Sequence, residues 1–174
     1  MSFIKLINKK YETKADVQSL IEYCVKQPFF IKHETFGTNC LNLEYALRSM
    51  YVCKKLFNKE DGQQIQHLVF SIKPEKSFCK SDLIIFSDQV MYEVGNHLAD
   101  IGFQSIGFIH AKVNKVYADT ESPNNVHIHF IVNNTNAIDG HNMRDIKNLL
   151  YSILYTLKRD PSLKFLNWRY VQLW

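Results

Sequence analysis

The stretch Asn125-Val126-His127-Ile128-His129-Phe130-Ile131-Val132-Asn133 decides how this chain is read. Its β-branched and aromatic residues suit a strand, and the alternation of side chains along a strand puts His127 and His129 on one face. Two rings at that spacing stand about 7 Å apart and can converge on one metal ion, which takes neutral ring nitrogens as ligands. A bare H-x-H equally describes two unrelated histidines near a sheet edge. A third donor separates the two readings, and the preceding stretch IGFQSIGFIHAKV (101–113) supplies His110 near its end. If the two strands are hairpin neighbours, His110 lies beside the pair on the same face. Three imidazoles leave coordination positions open for water or a substrate oxygen, as a catalytic site requires.

Working outward, Phe3 to Ile7 alternates like a short strand, and Lys14 to Lys26 carries Val17, Leu20, Ile21 and Cys24 at helical spacing, closed by Pro28. The segment PFFIKHETFGTNC (28–40) reads as a loop, followed by a helix with the stripe Leu43, Ala46, Leu47, Met50 and Leu56. Gln66 to Lys73 is a strand stopped by Pro74, and Ser81 caps a long helix through Ala99 that Gly102 ends. Strands at Phe103 to Val113 and Val126 to Asn133 flank the turn-rich NKVYADTESPNN (114–125); a helix from Met143 to Lys158 and a strand from Phe165 to Leu173 complete the chain. The order β-α-α-β-α-β-β-α-β predicts an α+β domain on a largely antiparallel sheet.

With 174 residues, 46% apolar and 22% charged, the chain suits one packed domain, 1–174, and excludes disordered, collagenous and solenoid classes. A net charge of +4 and pI of 8.8 permit an anionic partner without demanding one. No apolar run approaches the ~20 residues that span a bilayer, and MSFIKLINKK lacks the features of a signal peptide, so a cytoplasmic location is expected. Cys24, Cys40, Cys53 and Cys79 form no C-x-x-C pair and are expected reduced and mostly buried.

Several blocks in chain order resemble the mobilization-type relaxases of the HUH endonuclease superfamily. SLIEY (19–23) resembles the helix ending in that family's nucleophilic tyrosine, and GTNC (37–40) the segment after it. HLVFSIKP (67–74) is similar to its H-hydrophobic-S-F strand, LADIGFQSIGFIH (98–110) to the lead-in to the first metal histidine, and HIHFIVNN with Asp139-Gly140 to the paired-histidine strand and following turn. The resemblance implies a five-stranded antiparallel sheet with flanking helices. It implies that His110, His127 and His129 hold a divalent cation, Mg2+ or Mn2+, and that Tyr23 attacks single-stranded DNA at the transfer origin of a plasmid or integrative element. The product is a 5′-phosphotyrosine that later religates, with accessory relaxosome and coupling proteins as further partners in conjugation. Two departures stand out. The family's first histidine is followed by x-Asp-Thr, whereas Ala111 and Lys112 follow His110; Ala118-Asp119-Thr120 resembles the missing pair, which would align Tyr117 with the first histidine. The lead-in strand length favours His110.

The chemistry needs such groups. A cation held by neutral imidazoles keeps its charge for the scissile phosphate, and a phenol of ordinary pKa near 10 must be deprotonated or held in line to attack. Tyr23 ends a helix off its apolar stripe; Tyr11, in a polar stretch, is the alternative nucleophile, and Asp119 and Glu22 are candidate orienting groups. Lys9, Lys10, Lys14, Lys112, Lys115, Arg144 and Lys147 are candidates for neutralising the DNA backbone, and Phe29, Phe30 and Phe36 for stacking on bases. Two other readings stay open: an HUH replication initiator or transposase, and a degenerate accessory protein that binds DNA without cutting. The last draws on the absent His-x-Asp and on a chain short of the further C-terminal region such enzymes usually carry.

Overall fold

In the computed structural model, which describes residues 2–73, 80–112 and 125–172, the histidine stretch is a strand at the middle of the molecule. In chain order the elements are β1 (Ser2–Leu6), α1 (Lys14–Lys26), β2 (Phe30–Phe36), α2 (Leu43–Leu56), β3 (Ile65–Ile72), α3 (Lys80–Asp100), β4 (Ser105–Lys112), β5 (Asn125–Asn133), α4 (Ile146–Arg159) and β6 (Trp168–Gln172). A turn of 3-10 helix, Lys164–Leu166, precedes β6. One sheet holds all six strands in the order β2-β4-β5-β3-β1-β6. Every neighbouring pair is antiparallel except β1 with β6, which run parallel. The expected α+β class and largely antiparallel sheet are therefore present, with β4 and β5 as antiparallel neighbours.

The sixth strand is β2, in the segment expected to be a loop. Its centre, Lys32-His33-Glu34, is polar and half-buried because the strand lies at the sheet edge, and the register against β4 shifts between Phe30 and Lys32. Lys32 is tied to Asp88 of α3 at 2.7 Å and to Glu34 at 3.1 Å, so the edge carries charge rather than an apolar stripe. Phe36, expected in a loop and available for stacking on bases, is buried instead: it packs edge-on against Tyr92 and tilted against Phe130. The absence of a side chain at Gly95 makes that room, since a Cβ there would meet the Phe36 ring at 2.5 Å.

Alternation along β3, β4 and β5 sorts the core into two layers. Leu68, Phe70, Ile109, Ile128, Phe130 and Val132 face α3 and α4 with Met91, Leu98, Ile153 and Leu157. Ile106, Phe108 and Ile131 face α1 and α2 with Val17, Leu20, Ile21, Ala46 and Met50. Helix ends follow local chemistry. Thr13 and Asp16 form a capping box on α1, while Asn42 and Asp145 accept from the third amide beyond them at the starts of α2 and α4. Gly102, at φ +90°, ends α3 with its own N–H on Ala99 O and that of Phe103 on Leu98 O, the paired bonds of a Schellman stop. In α2 the buried face runs Ala46, Met50, Cys53, so Leu56, six residues past Met50, turns away and is 73% exposed, against the expected stripe.

A buried polar network closes the end of the sheet reached by β5. The Lys54 ammonium, 2% exposed, donates to Gln64 O at 2.5 Å and to Asn133 Oδ1; Asn133 Nδ2 donates to Gln104 Oε1 at 2.9 Å, and Gln104 Nε2 donates to Thr38 O and Ser49 Oγ. Burial pushes the Lys54 ammonium down to about 8. Because the unfolded chain holds that proton up to about pH 10.4, the folded state carries a penalty that is complete below pH 8 and relieved between pH 8 and 10.4. The stability of the wild type relative to Lys54→Met is expected to rise by about 3 kcal/mol between pH 7 and pH 10.5. Urea denaturation of both proteins across that range checks it. The difference is the readout because burial raises the Cys24 and Cys40 thiols to about 12 and about 11, which lowers the stability of both proteins above pH 9.

Candidate active site

The β4–β5 ladder sets the site. His110 lies opposite His127, Phe108 opposite His129, and across β3 Ser71 and Val69 oppose His127 and His129. Directly opposed residues share a face, so His110, His127, His129, Ser71 and, two positions along from Val69, His67 all sit on the α1 side of the sheet. The rings touch. His110 and His129 have centroids 4.7 Å apart, His129 and His67 5.2 Å, and His67 Nε2 is 3.0 Å from His129 Nδ1. His67 Nδ1 in turn is 3.0 Å from the Tyr11 hydroxyl. Ser71 Oγ is fully buried, with no hydrogen-bond partner among the described residues.

One bond joins this row to α1. His110 Nε2 lies 2.7 Å from Cys24 O. A carbonyl only accepts, so Nε2 carries the proton and the neutral ring keeps its lone pair on Nδ1. Cys24 O is among the last carbonyls of α1, which have no partner inside the helix, and His110 supplies one. Tyr23 precedes Cys24, so the candidate nucleophile rides on the turn that is bonded to the candidate metal ligand. Its side chain is 53% exposed. Phe29 and Phe30, just past the helix, approach His110 edge-on at 5.7 and 6.3 Å.

Burial sets the charge of the cluster. It pushes His129 down to about 3, helped by His67, His110 and His127, and His67 down to about 4, and it also lowers His110. Neutral rings of this kind are the form that binds cations. The donor set is all nitrogen, and at His110 and His129 one ring nitrogen is held by a hydrogen bond while the other remains, the arrangement in which metal-ligating histidines are found. The donors thus fit a divalent cation, and by ligand preference manganese suits them better than magnesium. That fit is one of donor chemistry: among the described residues, no three His, Cys, Asp or Glu side chains are placed so that together they could hold a metal ion.

Other expected residues lie elsewhere. Tyr11 is only 2% exposed, its hydroxyl on His67, and burial pushes its phenol up to about 12. Glu22 pairs with Lys26 at 2.9 Å on the outside of α1. Arg144 lines a cavity with Lys59 and His141, in the segment that follows the Asn133 end of β5, and Lys147 lies in the first turn of α4. Lys112 closes β4. Asp119, Lys115, Tyr117 and Cys79 fall outside the described residues; Cys24, Cys40 and Cys53 are free and buried. The sequence reading missed His67 and its link to Tyr11 as parts of the site. The signal was the period-two pattern His67, Val69, Ser71 in β3, which matches the pattern of β5.

The mixed sheet thus carries a row of imidazoles on one face, joined to a helix that bears a tyrosine. Residues 23–154 match the family model described as relaxase, MobA/VirD2-like, nuclease domain. That is about three quarters of the chain, and the chain belongs to this family of DNA-nicking relaxases. No curated protein and no solved structure matches it. No helix among the described residues is long and apolar enough to cross a membrane.

The two candidate nucleophiles differ sharply in access. Brief tetranitromethane treatment of the folded protein is expected to nitrate Tyr23 and to spare Tyr11, at least tenfold in initial rate, as read by peptide mass spectrometry. Equal labelling of the two would remove the distinction.

Proposed function

We propose that this chain nicks and rejoins single-stranded DNA at the transfer origin of a mobile element, with Tyr23 as the nucleophile and His110, His127 and His129 as the cation-binding set. The observation that carries the reading is the hydrogen bond from His110 to Cys24 O, which couples the tyrosine-bearing turn of α1 to the histidine row. A divalent cation, when bound, would polarise the scissile phosphate and neutralise the charge that develops on it. The protein's own groups do the rest. His110 anchors the end of α1; Phe29 and Phe30 flank it at the mouth of the site, where an unstacked base can rest; Tyr23 reaches solvent and thus a bound strand. Attack of the Tyr23 oxygen on phosphorus expels the 3′ hydroxyl and leaves the 5′ phosphate on tyrosine, keeping a phosphodiester that the same hydroxyl can reverse. A conjugative relaxosome supplies the further partners, and the whole chain acts as one domain in the cytoplasm.

Tyr11 is the weaker nucleophile candidate because its hydroxyl is buried and already bonded to His67. The non-cutting reading has one observation behind it: the rings bond to one another and to backbone instead of standing as a finished ligand group.

The test incubates the protein with saturating manganese and end-labelled single-stranded DNA from its own element's candidate origin. A denaturant-resistant adduct is expected, falling more than about 10³-fold in Tyr23→Phe and persisting in Tyr11→Phe. DNA binding without any adduct would support the non-cutting reading. A manganese titration of the same protein is expected to show one site, weakened about 100-fold or more by His127→Ala, His129→Ala or His110→Ala. Unchanged affinity in His110→Ala would remove that residue from the set.

A further inference from the structure

We propose that Tyr11 and His67 are positioning residues that form a two-bond relay deciding which nitrogen His129 presents to the site. The inference rests on the metal-site reading above and deepens it. Three atoms of protein separate the phenol from His129: the Tyr11 hydroxyl to His67 Nδ1 spans 3.0 Å, and His67 Nε2 to His129 Nδ1 spans 3.0 Å. Each neutral imidazole carries one proton, so the relay has two self-consistent settings. In the first, Tyr11 donates to His67 Nδ1, His67 Nε2–H donates to His129 Nδ1, and His129 turns its Nε2–H outward. In the second, every bond reverses: His129 Nδ1–H donates to His67 Nε2, His67 Nδ1–H donates to the Tyr11 oxygen, and His129 offers the lone pair of Nε2.

Only the second setting lets His129 bind a cation through Nε2, and it requires Tyr11 to accept. The phenol oxygen serves both settings, since a hydroxyl donates or accepts as its proton rotates. A phenylalanine at position 11 would leave His67 Nδ1–H buried and without an acceptor, which favours the first setting and turns a proton of His129 toward the cation. The relay is long in sequence and short in space, 56 residues between Tyr11 and His67 and 62 between His67 and His129, and it is closed off from water on the Tyr11 side. His67 and Tyr11 touch at 6.1 Å between centroids at 70°, so the phenol edge also packs the ring in place.

The test is a double-mutant cycle with manganese as the probe, read by calorimetry on the whole chain. Tyr11→Phe is expected to weaken manganese binding about tenfold. His67→Gln keeps an acceptor for His129 Nδ1–H in its side-chain carbonyl and no longer depends on Tyr11, so Tyr11→Phe is expected to have no further effect in that background. A packing role for Tyr11 would give the same loss in both backgrounds and would overturn the relay. A second readout needs no cation: nitrogen-15 spectra of the imidazoles are expected to move His67 to the Nε2–H tautomer in Tyr11→Phe, and a His67 that stays protonated on Nδ1 also overturns the proposal. If wild-type protein binds manganese and His129→Ala abolishes it while Tyr11→Phe changes neither affinity nor tautomer, the relay fails and the metal site stands. If wild-type protein binds no manganese, the site reading and the relay fall together.

Discussion

The rest of the structure depends on the register of β4 against β5. With His110 opposite His127 and Phe108 opposite His129, every histidine of the two strands faces α1, while Ile109 and Ile128 beside them face α3. A slip of one residue would exchange the faces, burying imidazoles against α3 and presenting Ile109 and Ile128 to the site. Two different kinds of constraint hold the register. In the middle of the ladder Gly107 stands opposite Phe130, and a Cβ there would meet the Met91 side chain at 2.8 Å, so only a residue without a side chain fits. At the far end Asn133 bonds Gln104 twice, backbone N–H to carbonyl at 2.8 Å and side chain to side chain at 2.9 Å. Packing sets the position of the strands, and the polar end prevents sliding.

Burying a row of histidines is tolerable only because their nitrogens find partners. His110 takes the free carbonyl at the end of α1, and His67 bridges Tyr11 and His129. An unpaired buried nitrogen would cost roughly 1–3 kcal/mol, so these bonds are conditions of folding as much as features of a site. They also make α1 part of the site. The helix is joined to the sheet at both ends of the histidine row, through Cys24 O near its C-terminus and, ahead of its N-terminus, through the Tyr11 hydroxyl.

The sequence carried the centre of this architecture and lost its margins. β4 and β5 were legible because both faces of each are specified by alternating residues, and α1 because its stripe and its capping residues agree. β2 was not legible: an edge strand with Lys32, His33 and Glu34 at its centre lacks the alternation that a half-buried strand shows, and it becomes a strand only by pairing with β4. Leu56 was misread because the stripe was followed too far past Met50, and Phe36 because its burial depends on a glycine 59 positions later, at 95. The histidine pair and His110 could be proposed from spacing and resemblance. The contact of His67 with Tyr11 could not, since it is made by two residues of unrelated pattern that meet only when α1 docks. The same docking separates the tyrosines, exposing Tyr23 and sealing Tyr11.

A cluster of neutral rings also says what would complete the site. Carboxylate ligands would cancel the charge of a divalent cation before any substrate arrived; imidazoles do not, so a cation held here would keep nearly its whole charge in a partly buried setting where screening is weak. Such a charge is poorly accommodated alone and well accommodated beside a phosphate. On the proposed reading, then, cation and DNA strand each raise the affinity for the other by one shared factor, as linkage demands. Phe29 and Phe30, by covering the ring of His110, lower the local dielectric and strengthen that mutual dependence. On that reading the site would hold its cation loosely until a strand is in place, which would confine the reactive assembly to the moment when Tyr23 has a phosphate in front of it.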